Sequence, residues 1–287
     1  MGFFYFCPMR IFWHLYRLLQ ILSLDIVGGA LLCAWMIASY MGIKLPGAVY
    51  ACLGLGVFGI YTLDHLLDVR RAYTAVSSTR HKFFMLYRDG MWLLWGIAVV
   101  TTLILLFWLP LPTIILGAVV TALTITYLYT INSRPYLAGR LKEVSAALIY
   151  ALGVFTGPIS LANGYGADVY WLFMQFILIA LINLYLFSYL EVEVDEAAEY
   201  PSLMRTLGTA YSIGLIGLVI LIAATSIPVG ICLFGSQAGF IKVEVVLVLM
   251  LLSLAVIYFS PSRFRSGQVY RMLGDAVFFY PALLLLW

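Results

Sequence analysis

The sequence predicts an all-α integral membrane protein, a bundle of nine transmembrane helices with its N-terminus inside and its C-terminus outside. Three observations predict it. Of 287 residues, 64% are hydrophobic and only 10% are charged, with a mean hydropathy of +1.04; a soluble domain has about a quarter of its residues charged. Apolar runs of about 20 residues, the length that crosses a hydrocarbon core about 30 Å thick, recur nine times. The basic residues gather on one side of that pattern.

The first run, 20–40, carries Asp25 inside it. An acid within a span is a functional candidate by default, although a bundle-facing polar patch with Gln20 and Ser23 is an equal reading. The second, 46–67, contains "GLGVFG" at Gly54–Gly59. No strand precedes it, so a dinucleotide reading fails its own context test, and the small residues are expected to let helices approach closely. Pro110 and Pro112 separate the third run, 90–109, from the fourth, 111–131. The stretch "LANGYGAD" separates the fifth, 143–162, from the sixth, 169–190. The seventh, 207–228, is expected to end at Pro228, and Pro261 closes the eighth, 243–260. The ninth, 268–287, is interrupted early by Arg271 and Asp275.

The longest polar stretches, 69–88 and 191–206, are loop-sized, so residues 1–287 are expected to form one transmembrane domain. Arg10 and Arg17 precede the first run without a small-residue cleavage site, so the N-terminus is read as retained. The cysteines Cys7, Cys33, Cys52 and Cys232 form no CxxC pair and read as small core residues, not as a disulfide framework or zinc site.

With the N-terminus inside, that side receives Arg10, Arg17, Arg70, Arg71, Arg80, Lys82, Arg88, Arg134, Arg140, Lys142, Arg205, Arg263, Arg265 and Arg271. Only Lys44 and Lys242 remain outside. The positive-inside rule therefore orients the bundle. The expected location is a membrane, a bacterial inner membrane with the inner face cytoplasmic, and no nucleic-acid partner is expected. Trp108, Tyr165, Tyr170, Trp171, Tyr258 and Trp287 lie near span ends and read as interfacial anchors.

Two acidic pairs fall on the inner side. "YTLDHLLDVRR", Tyr61–Arg71, ends the second span with Asp64 and Asp68 four residues apart, and Glu191 and Asp195 follow the sixth span at the same spacing. Four residues is one helical turn, so each pair projects from one face. Acids at a helix C-terminus oppose the macrodipole by about 0.3–1 kcal/mol each, and like charges one turn apart repel. A divalent cation would offset both costs, since Mg²⁺ takes carboxylate oxygens and keeps room for water or phosphate. Arg70, Arg71, Arg80, Lys82 and Lys142 stand behind to contact phosphate. The other reading pairs Asp64 and Asp68 with arginines in a salt-bridged loop and leaves the acids at 191–199 as a solvated face. His65 reads as a ligand, a base or a hydrogen-bonding neighbour.

These residues resemble the UbiA superfamily of intramembrane prenyltransferases. The family's NxxxDxxxD motif falls on Ile60, Asp64 and Asp68, without the asparagine; its DxxxD motif falls on Glu191 and Asp195, with glutamate first. "SSTRHKFF" is similar to the family's TxxRP element, with Arg80 retained and His81 in the proline position. "TYLYT", Thr126–Thr130, followed by Lys142, resembles its tyrosine and lysine positions, and "TLG" at Thr206–Gly208 its return from the second acidic loop.

The resemblance implies a bundle around a central apolar chamber in which two Mg²⁺ ions hold a prenyl diphosphate. The metal ligands, and with them the catalytic groups, would be Asp64, Asp68, Glu191 and Asp195. Arg80, Lys142 and Arg71 would contact the substrate, as would Asn183, near the Glu191 face, and Tyr127, with Tyr129 as a second ring for a carbocation; helix packing is the other reading of the tyrosines. The implied reaction is Mg²⁺-dependent transfer of a prenyl group to a lipophilic, often aromatic, acceptor among membrane lipids. Two alternatives stay open: a terpene cyclase with the same ionising apparatus, and a non-catalytic member that binds a lipid or partner. A transporter is not expected, because no repeated pair of broken helices is visible.

Overall fold

A computed structural model describes residues 17–71, 79–133, 135–192, 203–265 and 269–286. Among them the regular elements are helical: α1 Leu24–Tyr40, α2 Gly47–Arg71, α3 Thr79–Leu86, α4 Arg88–Leu105, α5 Leu111–Ser133, α6 Pro135–Leu161, α7 Ala167–Leu190, α8 Leu203–Leu207, α9 Thr209–Phe234, α10 Phe240–Phe259, α11 Pro261–Arg265 and α12 Val269–Ala276. Short 3₁₀ segments extend α4 (Leu106–Trp108) and α12 (Val277–Leu286). Eight helical segments are long and apolar enough to cross a membrane, and α1 is a shorter apolar helix.

Proline and glycine punctuate the bundle as their backbones require. Leu109 is extended before Pro110, and α5 starts at the next residue, where Pro112 sits in a first turn whose N–H groups lack partners anyway. Gly208 precedes α9 with φ +79°, a left-handed angle that favours glycine. Pro228, by contrast, does not end its helix: α9 runs through it to Phe234. Proline lacks the N–H that would bond the Ala224 carbonyl, and the side-chain bonds nearby go to other carbonyls of the helix. Here Thr225 and Ser226 hydroxyls donate to carbonyls of the preceding turn, and the Ser226 carbonyl accepts from Trp171 Nε1 at 3.2 Å. Trp171 is thus a packing residue of the bundle, whereas Trp108 and Tyr170 are exposed.

Helices α7 and α10 are the most enclosed spans, and α4 and α5 turn mostly outward. The core joins Leu172, Phe176, Ile179 and Ile182 of α7 to Val243, Leu247, Met250 and Leu254 of α10, with Ala30, Cys33 and Ala34 of α1 and Ala147, Ala151 and Val154 of α6. Small residues set the close approaches. A Cβ on Gly157 would lie 2.8 Å from Val49, and one on Gly29 would lie 2.7 Å from Phe278. Of the "GLGVFG" glycines only Gly54 faces α1, and Gly56 faces open space.

The last segment tightens from α-helix to 3₁₀ at Val277. Side chains three apart eclipse in such a helix, and Phe278, Pro281 and Leu284 accordingly face the core. This segment packs on α1 and α10, and α12 packs on α7. The C-terminal turns of α2 and α7 and the first turns of α12 thereby meet at one end of the bundle.

Candidate functional site

Asp64, His65 and Asp68 occupy the last turns of α2, and one ligand atom from each lies within 4.8 Å of the others. His65 is held by its neighbours. Its ring stands edge-on to Phe84 at 5.1 Å between centroids, and its Nε2 lies 3.3 Å from Arg80 Nη1. Arginine only donates, so Nε2 accepts and the proton of the neutral ring sits on Nδ1. Arg80 comes from the first turn of α3 and also donates from Nη2 to the Gln20 carbonyl at 2.6 Å. Burial, and next the charge of Arg271, lower its pKa; an arginine stays protonated nonetheless.

Glu191 caps the C-terminus of α7, where its carboxylate is engaged. Its Oε1 accepts from Arg271 Nε at 2.6 Å and from the Tyr270 hydroxyl at 2.9 Å, and its Oε2 accepts from Arg271 Nη2 at 2.7 Å. Two turns earlier, Asn183 is hydrogen-bonded to Asp275 of α12. So α7 and α12 run antiparallel and are zipped by two polar pairs on one face of each.

The two clusters belong to one charged layer. Asp275 is within electrostatic reach of Asp25, Arg80 and Arg271, and Arg80 is within reach of Glu191. Tyr61 reaches Asp64, Asp275 and Tyr127, and Tyr127 reaches Asp64, Asp68 and Glu143. Asp25 is 5% exposed, with Oδ1 accepting from the Ile26 N–H. Glu143, at the start of the α6 span beside Lys142, accepts from the Leu203 N–H at 3.4 Å and so ties α8 to α6.

The structure therefore brings Asp64, Asp68, Glu191, Arg80, Asn183 and Tyr127 to one end of the bundle. Tyr129 is 72% exposed and points away from Tyr127, as its place two residues, about 200°, further along the helix requires. Arg71 is the last residue of α2, and Asp195 and the Arg71 side chain lie outside the described residues. Sequence reasoning missed Tyr270 and Glu143, and took Arg271 and Asp275 for blemishes in the last span. The signal was present: Arg and Asp one turn apart at the start of a span mirror the acid pairs of α2 and α7. It also missed Glu244, 0% exposed in α10 toward the opposite end, whose Oε2 accepts from Gln175 at 3.3 Å.

Tested against Mg²⁺, the two halves of the layer differ. Asp64 and Asp68 offer the hard oxygen donors it takes, within 4.8 Å of each other. The lone pair at Nε2 of His65 is taken by Arg80, and both oxygens of Glu191 are taken by Arg271.

A bundle of apolar helices with carboxylates and guanidiniums layered at one end defines the class: a polytopic membrane protein with a polar site inside its helices. The particular fold is that of UbiA homologues. The structure superposes on the apo structure of a UbiA homolog from Aeropyrum pernix K1 with a TM-score of 0.68 and 15% identity, over 91% of this chain and 96% of that one. It matches a UbiA homolog from Archaeoglobus fulgidus, bound to GPP and Mg²⁺, with a TM-score of 0.65 and 11% identity, over 94% and 99% of the two chains. No protein-family model and no curated protein matches the sequence.

Proposed function

We propose that this chain is a Mg²⁺-dependent prenyltransferase that moves a prenyl group from a prenyl diphosphate to a lipophilic, aromatic-type acceptor within the membrane. The observation that carries it is the pair Asp64 and Asp68, one turn apart at the end of α2, in a fold shared with a homologue bound to GPP and Mg²⁺. In this reading Asp64 and Asp68 are the metal ligands on α2, while Glu191, whose oxygens Arg271 holds, and Asp195 are the acidic pair across the site. Bound Mg²⁺ would supply Lewis-acid stabilisation of the departing diphosphate.

The chain's own residues bind and orient. Arg80, pinned by Gln20 and His65, presents a fixed guanidinium to the diphosphate, and Lys142 and Arg71 add charge at the same end. Asn183 and Tyr127 border the space where the prenyl group and acceptor meet, and the apolar core keeps water from the carbocation. The distribution of basic residues supports a cytoplasmic placement of this end, in a bacterial inner membrane.

Purified protein incubated with GPP, Mg²⁺ and aromatic acceptors is expected to release diphosphate. Asp68→Ala should slow that release by on the order of 100-fold or more, the scale of losing one electrostatic stabiliser of the transition state. Release unchanged in Asp68→Ala would overturn the site.

A further inference from the structure

If the site takes a prenyl diphosphate as proposed above, Glu191 in its second acidic half does not wait for a metal ion. Arg271 grips Glu191 with two parallel N–H···O bonds, at 2.6 and 2.7 Å, and Tyr270 adds a third donor. Such a fork fixes a carboxylate in position and cancels its charge. A metal ion entering here would have to expel a guanidinium that is tethered to α12 and seated on α7.

The same arginine is placed to do more than neutralise. Its bonds to Glu191 use Nε–H and one Nη2–H, and a guanidinium has five N–H donors. Its side chain is 30% exposed, so the remaining edge is not sealed in the core. It lies within electrostatic reach of Arg80, a second part-buried guanidinium whose other contacts are to Gln20 and His65. Two like charges held this close repel. Asp25, Asp275 and Glu191 face them and offset part of the repulsion, and an anion between the two guanidiniums would relieve it directly.

We infer that Arg271 stands in for a divalent cation at Glu191: it neutralises that carboxylate and, together with Arg80, offers its remaining N–H groups to the diphosphate, so Glu191 ligates no metal ion and Asp64 and Asp68 hold one. Asp275 and Asn183 are positioning residues in this scheme, because they hold the face of α12 that carries Arg271 against α7.

The full chain in detergent should be titrated with Mn²⁺ in the presence of a non-cleavable thio analogue of GPP, with bound ion counted by electron paramagnetic resonance. The number of bound Mn²⁺ ions is expected to be unchanged in Glu191→Gln and to fall in Asp68→Asn. Arg271→Gln, paired with Glu191→Gln so that no lone carboxylate is left, should weaken binding of the analogue about ten- to a hundredfold, the worth of charged hydrogen bonds. A Mn²⁺ count that falls by one in Glu191→Gln would overturn the inference and leave the prenyltransferase reading standing. No bound Mn²⁺ and no bound analogue in the unaltered chain would overturn both. Unchanged analogue affinity in the double variant would remove Arg271 from the diphosphate site.

Discussion

Gly274 has no room for a side chain. A Cβ there would collide with Asn183 Oδ1 and come within 2.6 Å of the Phe187 ring, so glycine at this position lets α12 lie close enough to α7 for Arg271 to reach Glu191. Gly274→Ala should therefore cost about 1–3 kcal/mol, as overpacking does, read as a lower unfolding midpoint in detergent; an unchanged midpoint would mean the helices separate freely. At this scale the acids of α2 were legible because one-turn spacing at a span end is a local pattern. Arg271 was not, because its meaning is a contact eighty residues away. Alone in the sequence it is a charge in an apolar run; beside Glu191 it completes an ion pair.

Among the elements, the chain departs from expectation at Pro228 and in the last segment. Pro228 was expected to stop a helix, but α9 runs through it to Phe234, with the Thr225 and Ser226 hydroxyls and the Trp171 indole bonded to carbonyls nearby. The 3₁₀ stretch Val277–Leu286 was not expected either, since apolar residues nearly all round leave no period to read. The short helix α8 is tied to α6 by the Leu203 N–H on Glu143. Glu143→Ala should leave the transmembrane spans intact and speed amide hydrogen exchange across 203–207 by about tenfold, the worth of one hydrogen bond of about 1.4 kcal/mol. Protection unchanged there would show that packing, not Glu143, holds α8.

For the whole molecule, the fold class followed from composition and run length, and the shared end of the acids followed from counting spans. Both survive because they depend on sums over many residues. The orientation rests on the placement of sixteen basic residues and is open to direct test. In a background without Cys7 and Cys232, Lys44→Cys should be labelled in intact cells by a membrane-impermeant maleimide, and Arg263→Cys only after the cells are opened. The reverse pattern would turn the bundle over and place the charged layer outside.

The fork between Glu191 and Arg271 also bears on supply. A metal ion is recruited from solution and leaves when its concentration falls, whereas a guanidinium on the chain is made once, during translation, and has no dissociation constant. A guanidinium encoded in this way keeps the Glu191 charge neutralised whatever the Mg²⁺ concentration.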